Sequence, residues 1–207
     1  QNALPGGWRQ VDGALLHGPS GMRCPVVINM GLTRPDGSVE DVRTALMNIR
    51  LYDQAGMDTS CDYVDANTDV HVSLYASHWP DLPVEDHFAA ALKLIVDRFP
   101  VKEEAPLLVA TPAMEGKGYA LSTEPGETLA AGFITEPIDG ATYKTALWLD
   151  ETGGWHVKAR ATFPVVVKDG EAELSVVEMV TATMHAATMR DVEAQAGAAQ
   201  TVSFGKR

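Results

Sequence analysis

From Trp155 to Phe163 the residues alternate without a break. Trp155, Val157, Ala159, Ala161 and Phe163 occupy one set of positions, and His156, Lys158, Arg160 and Thr162 the other. A period of two is the pattern of a β-strand with an apolar and a polar face. Thr152-Gly153-Gly154 supplies a tight turn before it and Tyr143 to Leu149 a second strand, so the segment reads as a hairpin. Val70, Val72, Leu74 and Ala76 alternate with His71, Ser73, Tyr75 and Ser77 in the same way. The chain is therefore committed to sheet with two chemically different faces.

The clearest helix lies between Pro83 and Phe99. Val84, Phe88, Ala91, Leu92, Ile95 and Phe99 recur at helical spacing, Glu85 and Asp86 suit the positive end of the dipole, and Pro100 stops it. Further strands are expected at Trp8–Val11 and Ala14–His17 around an Asp12-Gly13 turn, and at Val26–Met30, Ala45–Tyr52, Cys61–Val64, Leu107–Ala110, Gly118–Ser122 and Leu129–Thr135. Arg34-Pro35-Asp36-Gly37-Ser38 and Asp53–Asp58 read as turns. Residues 169–194 carry two signals: Asp169-Gly170 suits a hairpin, whereas Leu174, Val177, Val180 or Thr181, Met184 and Thr188 follow a helical period. Length favours a helix, leaving residues 169–176 as the ambiguous part. Gly197 is expected to end that helix and residues 197–207 to form a mobile tail. With no internal repeat or linker, residues 1–196 read as one α+β domain, mostly antiparallel sheet with two main helices.

Charge narrows the partners. A formal net charge of −12 and a pI near 4.8 repel phosphate backbones and anionic lipid, and no run of Lys or Arg counters that field. The longest apolar stretches, such as Ala89–Val96, fall far short of the roughly 18 residues of a spanning helix. Neither nucleic acid nor membrane insertion is expected. Gln1-Asn2-Ala3 fits the start of a chain released by a signal peptidase, which implies a soluble periplasmic or secreted protein.

Cys24 and Cys61 are the two cysteines. An even count in an exported chain favours a disulfide; two buried free thiols or a reactive thiol are the alternatives. Their spacing is too long for C-x-x-C chemistry, and Arg23, Pro25, Ser60 and Asp62 do not supply the neighbours of a zinc site.

Several groups are candidate sites. His71, His78 and His87, with Asp69 or Glu85, offer metal ligands, but at separations that match no compact motif. Asp62, Asp65, Asn67 and Asp69 resemble part of a calcium loop, without its glycine or closing glutamate; polar turn residues explain them equally. Ser20, between Pro19 and Gly21, sits in a turn rather than a nucleophile elbow, and Gly116-Lys117-Gly118 lacks the rest of a P-loop. No cofactor motif is present.

The hairpin carries the most informative candidate. If Lys144 and Trp148 share the polar face of His156, Lys158 and Arg160, an acidic protein shows one basic, Trp-lined strip suited to an anionic small molecule or an acidic protein partner. Alternatively Lys158 and Arg160 pair with surrounding carboxylates and bind nothing.

The segment Ala14-Leu15-Leu16-His17-Gly18-Pro19-Ser20-Gly21, the Asp81–Phe99 helix after a strand, and Tyr143–Phe163 before a closing helix together resemble the PsbP-like fold in layout. That αβα sandwich is named for an extrinsic photosystem subunit, and the resemblance covers most of the chain. A curved sheet with a helix, NTF2-like or cystatin-like, is the alternative. The pairing of Pro-Ser-Gly with Arg-Cys-Pro, and Asp-Thr-Ser-Cys-Asp-Tyr, are similar to a group of uncharacterised exported bacterial proteins. The PsbP-like resemblance implies a non-enzymatic binding or assembly module and carries over no catalytic residue. A small-ligand or metal carrier, or a hydrolase with a dispersed site, are the other readings.

Overall fold

The computed structural model describes residues 4–33, 38–113, 118–124, 126–168, 171–172 and 175–204. The expected turns at Arg34–Gly37 and Asp169-Gly170, the Gly116-Lys117 pair and Leu174 lie outside the described residues.

β1 (Trp8–Val11) and β2 (Ala14–His17) form the expected hairpin. Asp12 and Gly13 take φ of 40° and 75°, the two left-handed residues of a type I′ turn. β3 (Arg23–Pro25) pairs with β2 and completes a small sheet. β4 (Val27–Thr33), β5 (Val39–Leu51), β6 (Asp58–Asp65) and β7 (Val70–His78) then run as an antiparallel meander.

After α1 (Val84–Arg98), β8 (Val101–Ala105) takes the far edge of the same sheet. Val-Lys-Glu-Glu-Ala is mostly charged and shows no strand pattern in the sequence; that composition suits an edge, where charge discourages pairing with another chain. β9 (Val109–Pro112) and β10 (Tyr119–Ser122) form a separate hairpin. β11 (Leu129–Thr135), β12 (Tyr143–Thr152) and β13 (Trp155–Pro164) return as a second meander. Gly153 and Gly154, at φ 58° and 81°, make the expected turn between the last two. β13 pairs with β7, so the order of the eight-stranded sheet is β4-β5-β6-β7-β13-β12-β11-β8, antiparallel throughout.

The ambiguous segment contains both elements in turn. β14 (Val167–Lys168) and β15 (Glu171–Ala172) are a minimal hairpin, and α2 (Val176–Phe204) follows. Ser175 starts the helix, its hydroxyl accepting the Val177 N–H at 3.2 Å. The expected stop at Gly197 is not one: α2 continues through it to Phe204. An interior glycine costs only about 1 kcal/mol relative to alanine, and Ala194, Ala196, Ala198 and Ala199 around it are strong helix formers.

The helices lie on opposite faces of the large sheet. α2, the small sheet and the β9–β10 hairpin bury one face around Trp8, Tyr63, Val72, Leu74, Trp148, Val157, Phe163 and Val177. α1 covers part of the other through Ala91 and Ile95, which meet Phe133 and Leu147 from β11 and β12. The predicted helical stripe is thus its core face from Phe88 to Phe99, with Val84 outside that cluster. The polar sides of β13, β7, β6 and β5 extend beyond it.

Cys24 and Cys61 are joined in a disulfide with Cα atoms 6.5 Å apart, both fully buried, tying β3 of the small sheet to β6 of the large one. The free-thiol and reactive-thiol alternatives are set aside. With a separation of 37 residues, loop-closure entropy corresponds to about 4 kcal/mol. Mass analysis under non-reducing conditions is expected to give a value two hydrogens below the reduced protein, and dithiothreitol to lower Tm; two alkylatable thiols in the native protein contradict this.

Ile95 is 1% exposed in the small cluster under α1, whereas Lys93 on the outer side pairs with Asp97, at 2.6 Å. Urea unfolding is expected to show Ile95→Ala destabilised by about 2–5 kcal/mol and Lys93→Ala by less than about 0.5 kcal/mol.

Candidate functional site

Beside α1, four strands present polar side chains on one face, and their register decides which ones meet. Ser73 on β7 lies between Arg160 of β13 and Asp62 of β6; Tyr75 lies between Lys158 and Ser60; His71 lies between Thr162 and Val64. Strands about 4.8 Å apart place Arg160, Ser73 and Asp62 in a row roughly 10 Å long. Arg50 from β5 closes one side, and Arg98 with Phe99 at the end of α1 the other, around a recess of about 250 Å³.

Asp62 organises one half of this recess. Its carboxylate, 3% exposed, accepts a hydrogen bond from the Ser73 hydroxyl at 2.6 Å and lies 2.8 Å from the Arg50 guanidinium. His71 Nε2 is 3.2 Å from the Ser73 oxygen and 3.9 Å from the carboxylate. Burial pushes the Asp62 carboxyl up, but His71, Ser73 and Arg50 outweigh it and hold it below its usual value. Aspartate, histidine and serine meet here without forming a nucleophilic relay. The serine proton goes to the carboxylate, and the imidazole touches the same oxygen instead of bridging the two.

The other half is cationic. Arg160 and Arg98 flank the Phe99 ring, 5.4 and 5.9 Å from its centroid. Neither makes an ion pair among the described residues. Burial first, and then the like charge of Arg98, lower the Arg160 pKa.

The expected strip is divided by the sheet. His156, Lys158 and Arg160 share the face of the recess, but Lys144 pairs with Phe163 and Trp148 with Ala159 across the hairpin, which points both side chains toward α2. Directly opposed residues of an antiparallel pair share a face, so the sequence condition fails on register. Lys144 Nζ is buried, 2.6 Å from Glu178 and 2.6 Å from the Pro106 carbonyl, and Trp148 donates to the Leu108 carbonyl. Among the described residues neither Lys158 nor Arg160 makes a close ion pair with a carboxylate, although Asp58 acts on Lys158 at longer range. Lys158 Nζ lies 4.3 Å above the Tyr75 ring, and its pKa is lowered to about 8 by burial.

Next to Lys158 is a pair of histidines. His87 of α1 and His156 of β13 stack with their Nδ1 atoms 2.9 Å apart, under Trp79. Protonated Lys158 donates to His87 Nε2 at 3.4 Å, so His87 Nδ1–H donates to His156. Burial, then the charges of Lys158 and His156, lower the His87 pKa to about 4, and burial lowers that of His156. Under α2, His185 Nε2 donates to the Val157 carbonyl, and burial lowers its pKa to about 4. Burial raises nearby Asp150 to about 6.

The metal candidates are dispersed. His71 faces Asp62, His78 packs on Trp155 at 5.0 Å, and His87 belongs to the pair with His156. Asp62 serves Ser73 and Arg50, Asp65 accepts the Asn67 N–H, and Asp69 accepts the Tyr143 hydroxyl. Among the described residues no three such ligands converge. Ser20 is fully buried and hydrogen-bonds His17 at 2.7 Å, out of reach of any substrate.

Arg50, Arg98, Phe99 and Tyr75 were not among the sequence candidates. The alternation of β7 places His71, Ser73 and Tyr75 on one face, but which strands flank β7 is visible only in three dimensions. Comparison with protein-family models, curated proteins and solved structures finds no match for this chain.

The buried histidines make stability pH-dependent. An unfolded chain takes up these protons near pH 6.5, whereas folded His87 and His185 resist until about pH 4, so stability falls as pH drops through that window. Asp150 opposes this, since folding favours its protonated form below about pH 6. These three groups alone correspond to a loss of roughly 3 kcal/mol, read from urea unfolding at pH 7.5 and 4.5. His87→Gln should show a smaller loss; an unchanged loss contradicts the assignment.

Proposed function

We propose that the protein is an exported, non-enzymatic binding module whose ligand is a small anion held in the recess between the end of α1 and the open sheet face. The observation that carries this reading is the pair Arg98 and Arg160, two guanidinium groups beside one phenyl ring without a carboxylate partner among the described residues. Guanidinium groups bind oxyanions through forked N–H donors, and a partly desolvated one gains more from such a partner than an exposed one. The buried disulfide fits the oxidising compartments that exported proteins reach. The layout resemblance to PsbP-like proteins points toward binding as well. A hydrolase is disfavoured by the Ser73 geometry, in which the serine proton goes to the Asp62 carboxylate.

Arg98→Glu tests the reading, because Arg98 is exposed at the end of α1 and its replacement should leave Tm within a few degrees. Calorimetric titration with small anions is expected to show binding by the native protein and none by the variant. A folded Arg98→Glu protein that binds as tightly as the native one excludes this recess.

A further inference from the structure

We infer that the recess prefers a dianionic tetrahedral oxyanion, a phosphoryl or sulfuryl group free or on a small organic molecule, over a monocarboxylate. This rests on the anion-binding reading above and specifies its ligand class. Three guanidinium groups and one carboxylate line the recess, and Arg50 at 2.8 Å from Asp62 cancels that carboxylate. Two positive charges remain, on Arg98 and Arg160, and they act on each other across Phe99. A monocarboxylate compensates one and leaves the other beside it; a dianion compensates both.

Shape leads to the same class. Arg160 reaches the recess from the sheet and Arg98 from the helix, so their donors approach from two elements. A planar carboxylate is filled by a single fork, whereas a tetrahedral oxyanion has further oxygens for a second one. His71 adds an imidazole at the rim, while the Thr162 hydroxyl is shared with Thr145 at 3.3 Å and the Ser73 proton is committed to Asp62. At about 250 Å³ the recess is larger than a bare oxyanion, which leaves space for the body of a monoester.

The test is calorimetry on the full chain at pH 7.5 and low salt, with five probes: sulfate, inorganic phosphate, glycerol 3-phosphate, acetate and the monoanionic diester dimethyl phosphate. The first three are expected to bind at least tenfold more tightly than the last two. Tighter binding of glycerol 3-phosphate than of phosphate identifies an esterified ligand, and the reverse a free ion; either supports the dianion class. Arg98→Gln and Arg160→Gln should each weaken sulfate binding at least tenfold, while Arg9→Gln, on the distant β1, leaves it unchanged; thermal unfolding verifies that each variant folds. Acetate bound as tightly as sulfate overturns the dianion preference and leaves the anion-binding reading intact. Absence of binding by all five overturns both. Sulfate affinity undiminished in folded Arg98→Gln places the ion elsewhere and overturns the inference.

Discussion

The pairing of β7 with β13 is the constraint on which the remaining architecture depends. Each belongs to its own meander, α1 separates them in the chain, and the register from His71↔Thr162 to His78↔Trp155 joins two four-stranded halves into one sheet. The apolar sets enforce that register: Val70, Val72, Leu74 and Ala76 on β7, and Val157, Ala159, Ala161 and Phe163 on β13, are all fully buried. A slip of one residue would turn one of these sets to water and place Lys158 and Arg160 under α2. The polar row of Arg160, Ser73 and Asp62 is therefore the reverse side of a hydrophobic decision. The recess gets its geometry from packing on the face it does not belong to.

That packed face is held by a buried ion pair as well as by the disulfide. Between β8 and β9 the chain leaves the sheet, and its backbone groups there need partners other than a ladder. Glu178 accepts the Leu108 N–H at 2.7 Å, Trp148 donates to the Leu108 carbonyl at 2.6 Å, and Lys144 bridges Glu178 and the Pro106 carbonyl. Removing one charge of such a pair typically costs about 3–5 kcal/mol, because the other is left uncompensated. Lys144 and Trp148, which look like ligand-binding residues in the sequence, are thereby committed to holding the crossover against α2.

What was legible in the sequence follows from local chemistry. The Asp12-Gly13 and Gly153-Gly154 turns need positive φ, the two cysteines invited one bridge, and the stripe from Val84 to Phe99 has one helical phase; all are present. β8 was hidden because an edge strand needs no apolar alternation, and the run of α2 through Gly197 because a single residue's propensity is weak against its neighbours. The site was legible only in part. His71, Ser73 and Tyr75 on one face could be read from period two, as could His156, Lys158 and Arg160 on another. That these two faces adjoin, that Asp62 stands next to them, and that Arg98 closes the recess are consequences of strand order, which no local pattern encodes.

Strand order also reconciles an acidic protein with a cationic recess. At −12 overall, the surface repels a long polyanion along most of its length, as the composition argued against nucleic acid. A small anion is subject to a different sum. Charges further away than a Debye length, about 8 Å at physiological ionic strength, are largely screened, so within the recess the uncompensated Arg98 and Arg160 dominate over the distant acidic surface. Lys158, behind Tyr75 and only partly offset by Asp58, adds to the same local field. On the proposed anion-binding reading, the arrangement would discriminate by size as well as by charge: the global charge opposes extended anions, and the local one suits a group small enough to enter between α1 and β13.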